Sequence, residues 1–270
     1  MSMCQCVDLL RPVRVSRSGH WWYQIEGPII MRAKQSGHAE ASDEESCLPY
    51  ADRDQAADVL SLALKHLAGR EAVVLAIPRG AVPMGARLAE RLGATLDVVP
   101  VRKLGAPGQP ELAIGAVDGD GVVVYTPGLE SLADSAWLTD ETRRQRALLS
   151  ERFQRYLAVR PAEELSSRTV LVLDDGLATG ATMRAALGWA RKRRPAKLVC
   201  AVPVADAESL ASLADLADEI VCPRPTRALF SISQFYLRFP QVSDEEVIAA
   251  LAAQPSGRSS SKRVDSDPVT

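Results

Sequence analysis

The chain has 270 residues, 47% of them hydrophobic and 24% charged, with a formal net charge of −2. That length holds one large domain or two small ones around a sizeable core. The near-neutral balance gives no general attraction for nucleic acid or an anionic membrane, so any anion must be held by local geometry, and no apolar run approaches the roughly 20 residues needed to span a bilayer.

Residues 1–46 have weak periodicity, and 35–46, QSGHAEASDEES, are small and polar. They read as a flexible extension, without the apolar stretch and small-residue cleavage site of a secretory leader. Met31 offers a second start, which makes the first 30 residues a candidate upstream translation artefact. The cysteines, Cys4, Cys6, Cys47, Cys200 and Cys222, are odd in number, and the last two fall in apolar runs. Buried reduced thiols in a cytoplasmic protein are therefore expected. Cys4 and Cys6 have no second pair at zinc-site spacing. At the other end, PSGRSSSKRVDSDPVT (255–270) has the composition of a disordered tail. The folded unit is 47–254.

Within it helix and strand signals alternate. Residues 52–69 place Ala57, Leu60, Leu64 and Leu67 at helical spacing and end on Gly69. AVVLAI (72–77) is a continuous apolar run, as in a parallel strand covered on both faces. A helix over 82–93 and a strand over 96–101 follow. Two β-prone pieces, 113–117 and 122–126, flank DGDG and predict a hairpin. A long charged helix is expected over 139–160. Strand 169–174, helix 180–193, strand 197–204, helix 206–217, strand 219–222 and a last helix, 243–253, complete the series. Repeated β-then-α order predicts a central parallel sheet flanked by helices.

The segment VLVLDDGLATGAT (170–182) carries the chemistry. An apolar strand stops on Asp174 and Asp175, at the strand end where ligands of open α/β sheets sit. Gly176 and Gly180 permit close approach of a ligand, Ala178 and Ala181 keep side chains away, and Thr179 and Thr182 supply hydroxyl donors. The helix that follows turns its free N–H groups toward the loop, which makes a phosphate pocket. The adjacent carboxylates would repel the phosphate unless they faced ribose hydroxyls or a hydrated Mg²⁺. The residues thus describe a ribose 5-phosphate cradle. Paired acids at a strand end also occur in phosphatases and Mg²⁺-dependent receiver domains. Neither G-x-G-x-x-G nor G-x-x-x-x-G-K-[ST] is present.

This stretch resembles the phosphoribosyl pyrophosphate (PRPP) motif of the type I phosphoribosyltransferases. One departure is Gly176, where that family usually carries an aliphatic residue, so a looser loop is expected. AIPRGAVPMG (76–85) is similar to the pyrophosphate loop of the same family, with Arg79, Gly80 and Ala81 as its anion donors. The Gly/Pro-rich stretch 101–121 is long for a simple connection and falls where the family has a flexible lid. Arg102 and Lys103 at its start would bring positive charge to the pyrophosphate. A solvent-exposed hairpin with basic residues at its base is the plainer reading. The segment 222–247 falls where the family has a variable hood, and Phe230, Phe235 and Tyr236 are candidates to stack on an acceptor base; anchoring the last helix is the alternative for these rings. The run Arg191–Arg194 reads as a helix C-terminus and His66 as a structural residue.

The resemblance implies transfer of the phosphoribosyl group of PRPP to a nucleobase-like or other nitrogen acceptor with release of pyrophosphate. Mg²⁺ would be held at Asp174 and Asp175, and the role would lie in nucleotide and nucleoside metabolism. No nucleic-acid or membrane partner is implied, and a homodimer is a candidate assembly. The acceptor is not legible. Two rivals stand: a regulatory module that senses PRPP or nucleotides without turnover, and a Mg²⁺ phosphohydrolase using the acid pair.

Overall fold

The continuous apolar runs become the interior strands of one sheet because both of their faces are covered. The computed structural model describes residues 14–15, 21–22, 49–69, 71–227 and 229–254. The expected extension and tail lie outside the described residues, apart from Arg14–Val15 (β1) and Trp21–Trp22 (β2), which pair antiparallel. The chain then runs through α1 (Arg53–Ala63), β3 (Ala72–Ala76), α2 (Ala81–Leu92), β4 (Thr95–Val98), β5 (Val101–Ala106), β6 (Gln109–Asp118) and β7 (Val123–Tyr125). It continues through α3 (Ser135–Val159), β8 (Thr169–Leu173), α4 (Ala181–Arg191), β9 (Lys197–Ala201), β10 (Val204–Asp206), α5 (Ala207–Ala211), β11 (Glu219–Val221), β12 (Arg224–Thr226) and α6 (Asp244–Ala252).

The main sheet is parallel throughout, in the order β11-β9-β8-β3-β4. Alternate side chains leave on opposite faces. Val74, Ala76, Leu171, Leu173 and Val199 pack with α1, α2 and α6, whereas Val73, Leu75, Val170, Val172 and Cys200 pack with α4 and α5. Cys200 and Cys222 are buried free thiols, as expected. A second sheet, β5-β6-β7, is antiparallel and carries a small core of Leu104, Ile114 and Val117 against Trp137 and Leu138 of α3. The expected lid is therefore a regular hairpin, with a turn at 107–108.

Several boundaries differ from the sequence expectation, each for a local reason. The strand expected over 96–101 is two strands, because Pro100 has no N–H for the ladder and Val101 opens the second sheet. Pro203 likewise divides 197–204, and β10 pairs with β12 instead of extending β9. The helix expected over 206–217 is α5 alone. Past Ser212, Leu213, Ala214 and Leu216 donate to carbonyls three residues back, and Arg184 takes the Ser212 carbonyl at 2.8 Å. The long helix starts a turn earlier than Thr139, on Asp134, whose side chain accepts from Trp137 N–H. The basic run ends α4 in ion pairs, Arg191 with Asp218 and Arg193 with Asp120, as its structural reading requires. His66 pairs with Glu219 at 2.9 Å.

Among the described residues, no helix is long and apolar enough to cross a membrane.

Candidate active site

The acid loop starts where β8 stops. Asp175 N–H donates to Asp174 Oδ1 at 2.9 Å, which folds the two carboxylates over the strand end. The chain is then fastened on its other side: Leu177 N–H donates to the Val204 carbonyl at 3.0 Å, and Asp206 N–H to the Leu177 carbonyl at 2.8 Å. Gly180 caps α4 with φ +76°, a left-handed conformation that favours glycine. Beyond it, the first-turn N–H groups from Ala181 onward have no carbonyl behind them and face the loop. Ala178 is exposed; Thr179 and Thr182 are half-buried, and among the described residues neither hydroxyl has a hydrogen-bond partner. The sequence-predicted phosphate ligands are thus together, with donors to spare.

The second loop comes from the neighbouring strand. Ile77 N–H donates to the Leu173 carbonyl at 2.8 Å, so the ends of β3 and β8 are joined. The Pro78–Arg79 peptide is cis, and Gly80 caps α2. A Cβ at position 80 would overlap Asp175 Oδ2 and stand 3.1 Å from its Cγ. Two loops about a hundred residues apart in sequence are therefore in contact. Arg79 makes no hydrogen bond or ion pair among the described residues, although its charge is felt by Asp244 and Tyr156.

Sequence reasoning missed Arg53. Its Nε and Nη2 both donate to Asp175 Oδ2, at 2.9 and 2.8 Å, and its Nη1 donates to the Pro240 carbonyl at 2.7 Å. The guanidinium also lies 3.7 Å from the centroid of the Phe239 ring. A single arginine at the start of an amphipathic helix carries no local signal for this. Burial pushes the Asp174 carboxyl well above its usual range, and the neighbouring Asp175 charge adds to the push. Burial raises Asp175 too, against the opposing charge of Arg53.

The aromatic candidates separate. Phe230 is 92% exposed, while Phe235 is half-buried with its carbonyl accepting from Tyr50 N–H. Tyr236 is 6% exposed; its hydroxyl donates to the Asp175 carbonyl at 2.6 Å and its ring packs on Tyr50 and Phe239. It supports the acid loop from below and has no open face for an acceptor. On the hairpin, Arg102 is hydrogen-bonded through Nε to Gln145 Oε1 of α3, and burial, with the charges of Arg152 and Arg79, lowers its pKa. Lys103, beside it on β5, is half-buried.

The sequence pattern of the phosphoribosyl transferase domain matches residues 53–231. The chain belongs to that family. Two curated Mycobacterium tuberculosis proteins, from strains CDC 1551 and H37Rv and provisionally named phosphoribosyl transferases, are each 41% identical over 204 residues. The match covers 75% of this chain and 46% of theirs, so the chain spans about half the length of the curated relatives it matches. The crystal structure of TT1426 from Thermus thermophilus is 43% identical and superposes with a TM-score of 0.63, covering 76% of this chain and 98% of that one.

Within this phosphoribosyl transferase domain, Gly176 is explained by its neighbour. A Cβ at 176 would meet the Ile232 side chain at 2.5 Å, so an aliphatic group arrives from the hood instead of from the loop itself. The loop is packed, not loosened. Gly176→Ala is expected to cost about 1–3 kcal/mol through overpacking, and Ile232→Ala should recover much of that loss in the double variant. Additive losses in a denaturation cycle would contradict the contact.

Family membership implies Mg²⁺ carried with the substrate, and the residues fit such an ion. Among the described residues no group of three or more His, Cys, Asp or Glu is placed to hold a metal. Two buried carboxylates alone suit Mg²⁺, which keeps most of its waters and substrate oxygens and takes one or two protein carboxylates.

A pH dependence follows for the ligand-free protein. Asp174 and Asp175 are raised, and burial pushes Asp97 up to about 6. A group raised on folding gives stability that is complete below its unfolded pKa and is lost as pH rises through the folded one. Melting temperature is therefore expected to fall between pH 5 and pH 8, a window above the titration of the lowered carboxylates. A temperature that rises over that window would contradict the buried pair.

Proposed function

We propose that the domain transfers the 5-phosphoribosyl group of PRPP to a nitrogen acceptor and releases pyrophosphate. The observation that supports this reading is the close approach of the Arg79 loop to the acid pair, where a Cβ at Gly80 would overlap Asp175 Oδ2. A ligand with phosphates at both ends of a ribose demands a phosphate loop, an acid pair and a second anion loop. Thr179, Gly180, Ala181 and Thr182 would hold the 5-phosphate through backbone N–H groups and hydroxyls. Asp174 and Asp175 would accept from the ribose diol. Arg79, with the N–H groups of Gly80 and Ala81, would hold the pyrophosphate.

Departure of pyrophosphate leaves oxocarbenium character at C1, so these residues act by positioning and by stabilising charge. When bound, Mg²⁺ would supply charge neutralisation of the pyrophosphate. Arg102 and Lys103 lie on β5, at the base of the hairpin, and hairpin movement toward the ligand would add their charge and exclude water. Phe230 and Phe235 are the remaining hood candidates for the acceptor. A place in nucleotide metabolism follows from the same reading, and the buried thiols support a cytoplasmic setting.

The test is a screen of PRPP-dependent pyrophosphate release across nucleobases and other nitrogen nucleophiles. Release that depends on one acceptor class is expected. PRPP binding with no release for any acceptor would overturn turnover in favour of sensing, and inorganic phosphate released without an acceptor would favour hydrolysis.

A further inference from the structure

We propose that Arg53 is a positioning residue that fixes the Asp175 carboxylate for the ribose and ties it to the hood. The inference rests on the acid loop being the ribose site. Three of the five guanidinium N–H groups are directed: two converge on Oδ2 of Asp175 and one reaches the Pro240 carbonyl. Both side chains of the ion pair are largely buried, at 10% and 15% exposure, so the contact is not a mobile surface pair. Phe239 closes one face of the guanidinium.

The consequence is an asymmetric acid pair. Oδ2 of Asp175 is committed to Arg53, so Oδ1 is the oxygen that remains for a ligand. Among the described residues Asp174 makes no ion pair with an arginine; its Oδ1 accepts the Asp175 N–H. The two carboxylates therefore present one defined oxygen each, at a spacing set by Arg53 from α1 and not by the loop alone. The same arginine makes the hood part of the site. Segment 235–240 is joined to 50–53 by Tyr50 N–H to the Phe235 carbonyl, Leu237 N–H to the Tyr50 carbonyl and an Arg238–Asp52 ion pair. Tyr236 meanwhile holds the Asp175 main chain from beneath. Lysine would keep the charge at 53 but lose the planar fork that directs two bonds to one oxygen.

The experiment is calorimetric titration of ribose 5-phosphate and of inorganic phosphate into the wild-type chain, Arg53→Lys and Arg53→Gln. Phosphate reads the Thr179–Thr182 loop; the ratio of the two affinities reads the ribose contacts. Loss of a charge-assisted contact corresponds to about 10- to 100-fold. The ratio is expected to fall roughly tenfold in Arg53→Lys and further in Arg53→Gln, with phosphate affinity unchanged. An unchanged ratio in Arg53→Lys overturns the assignment, and so does an equal loss for both ligands, which would mark general damage. Should Arg53→Gln not fold, Arg53→Lys decides alone. A wild-type chain that does not prefer ribose 5-phosphate over phosphate would refute the ribose site itself, a distinguishable result.

Discussion

Gly80→Ala is expected to remove PRPP binding almost completely while leaving the protein folded. The backbone at Gly80 is α-helical, with φ −55° and ψ −38°, so alanine meets no conformational strain there. For a bystander glycine at such a position, alanine would be neutral or stabilising by about 0.4–1 kcal/mol, because it restricts the unfolded chain. Here the added methyl would occupy the place of Asp175 Oδ2 and stand 3.3 Å from Arg53 Nη2. The carboxylate cannot swing away without leaving the two N–H groups that hold it. One methyl therefore damages the acid pair, its arginine and the turn of the Arg79 loop together. A loss of at least about 100-fold in PRPP affinity is expected, since more than one charge-assisted contact is disturbed at about 1.5–3 kcal/mol each. The melting temperature should drop by a few degrees, not collapse. Thermal denaturation together with PRPP titration checks both halves, and a Gly80→Ala protein that is more stable and binds normally would separate the two loops.

The second large effect is a split between the acids. Asp174→Asn and Asp175→Asn should each weaken PRPP use about 10- to 100-fold, yet differ in stability, with Asp175→Asn the less stable of the two. Asp174 is buried beside another carboxylate and held above its usual proton affinity, so its charge disfavours the folded state at neutral pH. Asparagine removes that cost and keeps an Oδ1 acceptor for the Asp175 N–H. Asp174→Asn is expected to melt at the same temperature or several degrees higher. Asp175→Asn leaves Arg53 without its counter-charge in a site where it is 9% exposed. Removing one partner of a buried pair is costly because the other charge stays behind; with an amide oxygen still accepting, a deficit of about 1–3 kcal/mol relative to Asp174→Asn is expected. At about 2–4 °C per kcal/mol for a domain of this size, the loss is plain in a melting curve. Equal melting temperatures for the two variants would contradict the Arg53–Asp175 assignment.

What could be read from the sequence was what the chain writes contiguously. The acid pair and the small-residue turn after it fall in thirteen consecutive residues, 170–182, so their juxtaposition could be read directly. The strand runs of the main sheet were legible because burial on both faces leaves an unbroken apolar signature. Contacts made by distant residues were not. Arg53 lies 122 positions from Asp175 and looks like any charge in the first turn of a helix. Ile232 compensates for Gly176 from across the fold, so the departure from the family pattern looked like a loosened loop when it is a relocated side chain. Tyr236 illustrates a different limit: an aromatic in an irregular segment reads the same whether it faces a ligand or the core, and only burial separates the two. Pro100 and Pro203 did stand in the sequence as breakers, but the apolar residues around them concealed the change of sheet.

The most direct test of a single site built from both strand ends is competition calorimetry with PRPP–Mg²⁺, ribose 5-phosphate and pyrophosphate. PRPP–Mg²⁺ is expected to bind more tightly than either fragment and to be displaced by each of them, because it spans the Thr179–Thr182 loop, the acid pair and the Arg79 loop. No binding of PRPP–Mg²⁺ to the folded protein, or binding that pyrophosphate does not displace, would contradict the account.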